Sequence, residues 1–473
     1  MNILVLNGSP KGDNSITLQT VLYIKKHFPA HTYTVLNAGS RIRSYEKDFT
    51  EAAAALREAD LILFAYPVYT FLVPSQLHRF IELIKENGVD VRGRYATQIT
   101  TSKHFYDVTA HRFIEDNCED LGLRVIRGLS ADMEDLLTEK GRKDAREFMS
   151  YVEYCVENGL MEPVRQTFTE AKRVPVNAAP AGEGTDDGSG DAPVALRDKP
   201  GDVVIVADLK PGDTQLEGMI SRFMAVSPRK TRLVNIQAFP FGGGCISCFN
   251  CAADGTCIYK DGFDRFLREN IQTAEAIVLA FSIRDHSMGS RFKMYDDRQF
   301  CNGHRTVTMG KAFGYLVSGN LGEEENLRLV IRARAEAGGN FLAGIATDEK
   351  DTDGEIDALA KRLDYAVRKQ YVQPANFYGV GGMKIFRDLI WQMQGLMKAD
   401  HKFYKAHGQY DFPQKKRGRM LAMYLVGGMM QNEKIKKKMG GKMTEGMLMP
   451  YKKVLKKKIC KDICVRRQNG DTV

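Results

Sequence analysis

The apolar run NILVLN (2–7) gives way to Gly-Ser-Pro, a polar loop and the amphipathic stretch Ile16 to His27. This predicts a buried parallel strand, a turn and a helix. Apolar runs at Thr32–Leu36, Asp60–Ala65, Tyr95–Thr100 and Leu123–Ile126 predict further strands, with helical patterns between them at 50–59, 75–87, 108–121 and 138–158. Such alternation predicts an open parallel sheet with helices on both faces. The pattern lapses over 161–200, where VNAAPAGEGTDDGSGDAP (176–193) carries no large hydrophobic residue after Val176. That composition predicts a flexible linker. The alternation then restarts. Strands are expected at 202–209, 231–236, 274–281, 311–318 and 340–347, and helices at 216–225, 323–337 and 354–371. The second half therefore repeats the architecture of the first, giving an α/β chain of two tandem doubly wound parallel sheets.

Beyond about residue 374 the strand signals stop. The expected division is 1–160, a linker 161–200, 201–373, and a helical extension 374–473 rich in Met and Lys. Charge sharpens this picture. Of 68 Lys+Arg and 59 Asp+Glu, residues 381–473 hold 22 basic and 7 acidic, so the positive balance belongs to the extension and the body is mildly acidic. A nucleic-acid-binding body is not expected, because it would carry a basic face on a folded domain. Lysines cluster at 415–419, 434–438 and 452–461, and Leu455, Ile459 and Ile463 form a narrow apolar stripe. Helices packed on the body with solvated lysines, and docking to an anionic membrane surface or an acidic redox partner, both remain open for this segment. The apolar run Leu421–Met430 is about half of a ~20-residue membrane span. MNILVLNGSP lacks the basic start and cleavage site of a signal peptide, so a cytoplasmic location is expected.

Two segments carry candidate chemistry. In LNGSPKGDNSIT (6–17), Gly8 permits a sharp exit from the first strand, and Ser9, Asn14, Ser15 and Thr17 bring donors to a helix N-terminus. A phosphate dianion needs such a set of hydroxyls, backbone N–H groups and helix start. An ordinary polar turn is the alternative. The loop after the third strand, AYPVYTFLVPSQLHRFIEL (65–83), is apolar and aromatic, which fits a wall for a flat ring at the carboxyl end of a sheet. In the second half, GGGCISCFNCAADGTCIYKDGF places Cys245, Cys248, Cys251 and Cys257 in a C-x2-C-x2-C-x5-C array, four of the nine cysteines. Short bites of this kind present consecutive thiolates to an iron–sulfur cubane. A structural zinc site and a thiol loop without metal are the alternatives.

NGSPKGDNSIT followed by YPVYTFLVPSQLHRFIE resembles the NADPH-dependent FMN reductases of the flavodoxin-like superfamily. The resemblance implies a flavodoxin-like fold in each half and FMN as cofactor. It implies that Gly8, Ser9, Pro10, Asn14, Ser15 and Thr17 hold the FMN phosphate, and that Pro67, Val68, Tyr69, Thr70 and Phe71 border the isoalloxazine. Thr100, Thr101 and Ser102 would approach its other rim. The cysteine array, its place after a second strand, and the stretch SMGSRFKMYDDRQF (287–300) with Lys293, Asp297 and Arg298 resemble the iron–sulfur flavoproteins of the same superfamily. That implies a [4Fe-4S] cluster on the four cysteines.

The halves differ in what they keep. Asp208 stands where Gly8 sits in the first half, and Gln215 and Glu217 replace Ser15 and Thr17. Added carboxylates disfavour a phosphate dianion. The first half has no cysteines in the loop NAGSRIRSYEKD (37–48). The expectation is an internal pseudo-dimer, with flavin in one half and cluster in the other. The expected activity is FMN-dependent NAD(P)H-type oxidoreduction with a small electron acceptor such as a quinone or flavin. A ferredoxin-like redox partner is equally possible as donor, and the alternative is a flavin-binding redox sensor or scaffold. No protein side chain is singled out as catalytic, since a bound flavin carries its own chemistry.

Overall fold

The computed structural model describes residues 1–164, 173–177 and 199–435. Strands β1 (Asn2–Asn7), β2 (Thr32–Leu36), β3 (Leu61–Pro67), β4 (Tyr95–Ser102) and β5 (Arg124–Val125) form a parallel sheet ordered β2-β1-β3-β4-β5. Helices α1 (Ile16–His27) and α6 (Glu139–Glu157) cover one face, where Ile3, Val5, Leu18, Val21, Phe148 and Val152 pack together. The short α2 (Ile42–Tyr45), with α3 (Thr50–Glu58), α4 (Ser75–Glu86) and α5 (Asp107–Asp120), covers the other. The fifth strand is shorter than the expected Leu123–Ile126, and β6 (Leu129–Asp132) pairs with β4 beyond it. The break comes at Gly128, which passes so close over β4 that a Cβ there would lie 2.3 Å from the Gln98 side chain and 2.7 Å from its carbonyl oxygen.

The second sheet repeats the topology. Strands β7 (Val203–Ala207), β8 (Thr231–Asn235), β9 (Ala276–Ser282), β10 (Ala312–Ser318) and β11 (Phe341–Thr347) are ordered β11-β10-β9-β7-β8. Helices α7 (Thr214–Val226) and α12 (Thr352–Lys369) cover one face. The excursion after β8 carries α8 (Asn250–Asp254) and α9 (Phe263–Phe266), and α10 (Gly289–Arg298) and α11 (Glu325–Ala337) cover the other face. Both halves are thus doubly wound α/β sheets, as their patterning predicts.

The α4/α5 face of the first sheet and the α10/α11 face of the second share one apolar core. Polar pairs across this contact repeat at a constant offset of 215 positions. The Ser75 amide donates to Asp297 and the Ser290 amide to Glu82, each at 2.8 Å. The turns before α4 and α10 match as well: Tyr69 bridges Leu72 as Arg284 bridges Ser287. Thr70 and Phe71, like Asp285 and His286, sit at positive φ. Two such non-glycine residues in a row are strained, and the packing of the opposite half holds them there.

Helices α13 (Phe377–Gln392) and α14 (Lys398–Ala406) belong with both sheets to one compact unit, Met1–His407. Their Ile390, Asp400 and Tyr404 are buried, as is Met397 just before α14. The second unit, Gly408–Val473, contains α15 (Arg417–Met430), where Met420, Leu421, Met423, Tyr424 and Leu425 are exposed. The lysine cluster 452–461 and its apolar stripe lie outside the described residues, as does most of 434–438. Among the described residues no helix is long and apolar enough to cross a membrane. Within 161–200, residues 173–177 lie against the second sheet: the Val174 amide donates to Asp348 O at 2.8 Å, and its carbonyl accepts from Gln215 Nε2 at 2.7 Å.

Candidate functional site

The loop between β1 and α1 is fixed by a residue outside the expected set. Asn7 Nδ2 donates to Gly12 O at 2.9 Å and to Asn37 Oδ1 at 2.8 Å, and its Oδ1 accepts from the Ser9 amide at 3.3 Å. Ser15 caps α1, accepting from the Leu18 amide at 3.3 Å. An α-helix leaves its first four N–H groups without intrahelical partners, so Ile16 and Thr17 still offer amides after this cap. Thr17 and Thr101 share a buried hydroxyl contact of 2.6 Å, tying the start of α1 to the end of β4.

These elements border a cavity of about 440 Å³. Ser9, Ser15, Thr17, Pro67, Val68, Tyr69, Thr70, Phe71, Thr101 and Ser102 line it. Four residues expected at the site do not. Asn14 is exposed outside the lining, and Thr100 is buried against His111 Nε2 at 2.9 Å. Pro10 is buried in the loop. Gly8 is needed for packing, since a Cβ there would meet Leu77 Cδ2 at 2.5 Å.

The same cavity is lined by Cys245, Cys248, Cys251 and Cys257 of the second half. The loop that carries them crosses α4 at Gly244, where a Cβ would lie 2.5 Å from Ser75 Oγ and 2.8 Å from Gln76 Nε2. Gln76 Nε2 donates to Cys245 O at 3.2 Å, and the Tyr69 and Phe300 rings meet edge to face at 5.8 Å. Burial pushes the Cys245 thiol up strongly and Cys251 to about 11, the neighbouring thiols adding to it. The Ser247 amide donates to Cys245 Sγ at 3.4 Å. Arg298 is almost fully buried. It grips Asp261 with two bonds of 2.7 and 2.8 Å and brings Nη2 to 3.7 Å from Cys257 Sγ. Burial alone would raise the Asp261 carboxyl, but Arg298 and the Gly242 amide hold it at about 2. Donors aimed at sulfur and a nearby cation suit thiolates bound to a metal. The donor chemistry suits a cysteine-held metal centre, while among the described residues no three of the four sulfurs lie within 4.8 Å of one another; the first-half loops suit a phosphate with a flat apolar body.

Two features go beyond the sequence reading, which singled out Lys293 and Asp297 but not their contact with the first half. Lys293 and Asp297 are both fully buried and clamp the ring loop. Lys293 Nζ donates to Tyr69 O at 2.9 Å, to Thr70 Oγ1 at 2.7 Å and to Asp297, which also accepts from Thr70 Oγ1 at 2.5 Å. Their i, i+4 spacing on one helix was the available signal. The extension also supplies cavity wall: Ile385, Phe386, Leu389, Met393 and Met397 line it, and the Phe386 ring packs tilted against Phe105 with centroids 4.1 Å apart. No motif marked those positions.

The matching end of the second sheet is filled differently. The Asp208 amide donates to Ala280 O as the Gly8 amide does to Ala65 O. The Asp208 carboxyl is buried, which raises its pKa, and it accepts from Gln237 Nε2 at 2.5 Å. Ser318, the counterpart of Thr101, donates to Asp348 at 2.7 Å and accepts from Arg173 Nη1 at 2.9 Å.

Residues 1–112 match a family model described as a flavodoxin-like fold. The first half has a flavodoxin-like fold. The matched residues are under a quarter of the chain, and they include the phosphate-type loop and the ring loop. No curated protein matches the chain. Among solved structures, an FMN-dependent NADH-azoreductase from Bacillus anthracis is similar at 16% identity, over 32% of this chain and 99% of that one, with a TM-score of 0.27. An NADPH-quinone reductase from P. pentosaceus is similar at 14% identity, over 33% and 97%, with a TM-score of 0.26. General stress protein 14 from Treponema denticola, solved with FMN, is similar at 13% identity, over 33% and 99%, with a TM-score of 0.27.

Proposed function

We propose that the protein is an FMN-dependent oxidoreductase in which one half holds the flavin and the other holds a [4Fe-4S] cluster. Electrons would come from NAD(P)H or a ferredoxin-type donor and go to a small acceptor such as a quinone or a free flavin. The observation that carries this reading is the single cavity lined by the β1–α1 loop, the aromatic ring loop and all four clustered cysteines. When bound, FMN supplies hydride and single-electron chemistry, and a cluster supplies a single-electron store.

The chain's own groups bind, orient and exclude water. Ser9, Ser15 and Thr17, with the first amides of α1, would receive the phosphate. Pro67 to Phe71 would wall a flat ring, and Thr101 and Ser102 would meet it from another side of the same cavity. Lys293 and Asp297 fix that wall from the opposite half, while Phe386, Met393 and Met397 close the cavity against solvent. Cys245, Cys248, Cys251 and Cys257 would take the cluster, and Arg298, 3.7 Å from Cys257 Sγ, would offset negative charge there. The second half offers no comparable phosphate place, because Asp208 and Asp348 occupy it and Arg173 bonds there.

Anaerobic purification with flavin, iron and zinc assays tests this reading. About one FMN and about four irons per chain, the iron lost in Cys257→Ser, is the expected result. A chain that takes up no flavin on reconstitution refutes the proposal. Bound flavin and iron with no NAD(P)H- or ferredoxin-driven reduction of any acceptor would leave a redox sensor in its place.

A further inference from the structure

The contact between the halves is polar at two places related by the 215-position offset, and the two are not filled alike. On one side the Lys293 ammonium sits among the turn carbonyl of Tyr69, the Thr70 hydroxyl and the Asp297 carboxylate. On the other side the matching positions are His78, Asp285 and Glu82. His78 is fully buried, and neither of its ring nitrogens has a hydrogen-bond partner. Its Nε2 lies 3.9 Å from Glu82 Oε1 and 3.8 Å from Asp285 Oδ2. These are too long for hydrogen bonds. A buried imidazole left without partners costs stability, and such a group calls for an explanation.

We propose that His78, Glu82 and Asp285 form a binding site for one divalent transition-metal ion, which staples the two halves where the ammonium of Lys293 does so on the opposite side. The three donor atoms lie within 4.8 Å of one another. Donors about 2.1 Å from a shared ion stand ~3–4 Å apart, so the observed spacing needs little movement. One imidazole and two carboxylates are the donor set of zinc, manganese or ferrous iron rather than of a thiophilic ion. Each carboxylate is already oriented by outer partners. Glu82 accepts from the Ser290 amide at 2.8 Å, from Ser290 Oγ at 2.6 Å and from Arg79 at 2.8 Å, while Asp285 Oδ1 accepts from Lys85 at 2.8 Å and leaves Oδ2 facing the histidine. Outer-sphere bonds of this kind hold metal ligands in place.

Charge points the same way. Among the described residues, the ion pairs here join the carboxylates of Glu46, Glu82, Glu86, Asp120, Asp285 and Glu324 to Arg79, Lys85 and His286. A divalent ion reduces that excess. The site lies at the α4–α10 contact, and none of its three residues lines the cavity of the cysteines.

Manganese is the probe, because it ignores thiolates and reports by electron paramagnetic resonance. The full chain would be produced in manganese-supplemented medium, freed of loosely held ion with EDTA, and acid-digested to release the rest. The expected result is about one Mn²⁺ per chain, unchanged in Cys248→Ser and reduced at least ~10-fold in His78→Ala. A second variant guards against misfolding. His78→Lys recreates the ammonium arrangement of the opposite side, so it should fold, hold no Mn²⁺ and melt at a temperature that no longer rises with added Mn²⁺. The proposal is overturned if the wild-type chain retains no more Mn²⁺ than His78→Lys, or if the two respond to Mn²⁺ alike.

Discussion

Replacing Lys293 by methionine removes one ammonium and little volume, so it isolates the clamp on the ring loop. Lys293 and Asp297 are both fully buried. Without Nζ, Asp297 is left as a buried carboxylate, and the Tyr69 carbonyl loses a donor 2.9 Å away. Breaking a buried ion pair costs about 3–5 kcal/mol. The low end applies, because Asp297 keeps the Ser75 amide at 2.8 Å and the Thr70 hydroxyl at 2.5 Å. A loss of about 3 kcal/mol lowers the melting temperature of a domain of about 150–250 residues by ~6–12 °C. Differential scanning calorimetry of the full chain, with and without added FMN, measures it. Adding Asp297→Asn neutralises the stranded charge while preserving an acceptor for Ser75, so the double variant should recover at least half of the loss. If single and double variants melt together, the cost does not come from an uncompensated carboxylate, and the account of the clamp fails.

Other perturbations test separate parts of the site. Ser9 accepts from the Lys11 amide at 3.3 Å, which leaves its proton for a phosphate. Ser9→Ala should therefore weaken FMN binding by ~10-fold or more, the worth of one bond to a charged group, with iron content unchanged in parallel assays. Gly244→Ala places a methyl 2.5 Å from Ser75 Oγ and should lower iron per chain by pushing the cysteine loop off α4, with far-ultraviolet circular dichroism unchanged. Burial would lower the pKa of His286, but Asp120 and Glu324 raise it to about 10. Its stabilisation is complete below the unfolded value of about 6.5 and is lost as pH rises through the folded value. Urea midpoints should accordingly fall between pH 7 and 10, and by less in His286→Gln; equal slopes in the two proteins would exclude this histidine.

Much of the architecture was legible because parallel strands buried on both faces read as apolar runs. The phosphate-type loop and the cysteine array were legible because their residues are neighbours in sequence. Contacts between positions more than two hundred residues apart carry no local periodicity, so the pairs Ser75–Asp297 and Ser290–Glu82 stayed hidden. The break at Gly128 was hidden too, since its cause is the distant Gln98 side chain. The share of α13 and α14 in the cavity wall was hidden for another reason. Buried positions such as Ile390, Met397 and Tyr404 are scattered among lysines and glycines, so composition left packing on the body and outward docking both open and gave no sign of a cavity wall.

The docking of residues 173–177 on the second sheet has a kinetic meaning. A segment tethered to its own binding place competes at an effective concentration in the millimolar range, set by the tether rather than by the cell. Any free anion approaching Ser318 and the start of α7 must outcompete a resident that never diffuses away. The second half therefore carries a built-in competitor, and vacating that place requires pulling out a segment of its own chain.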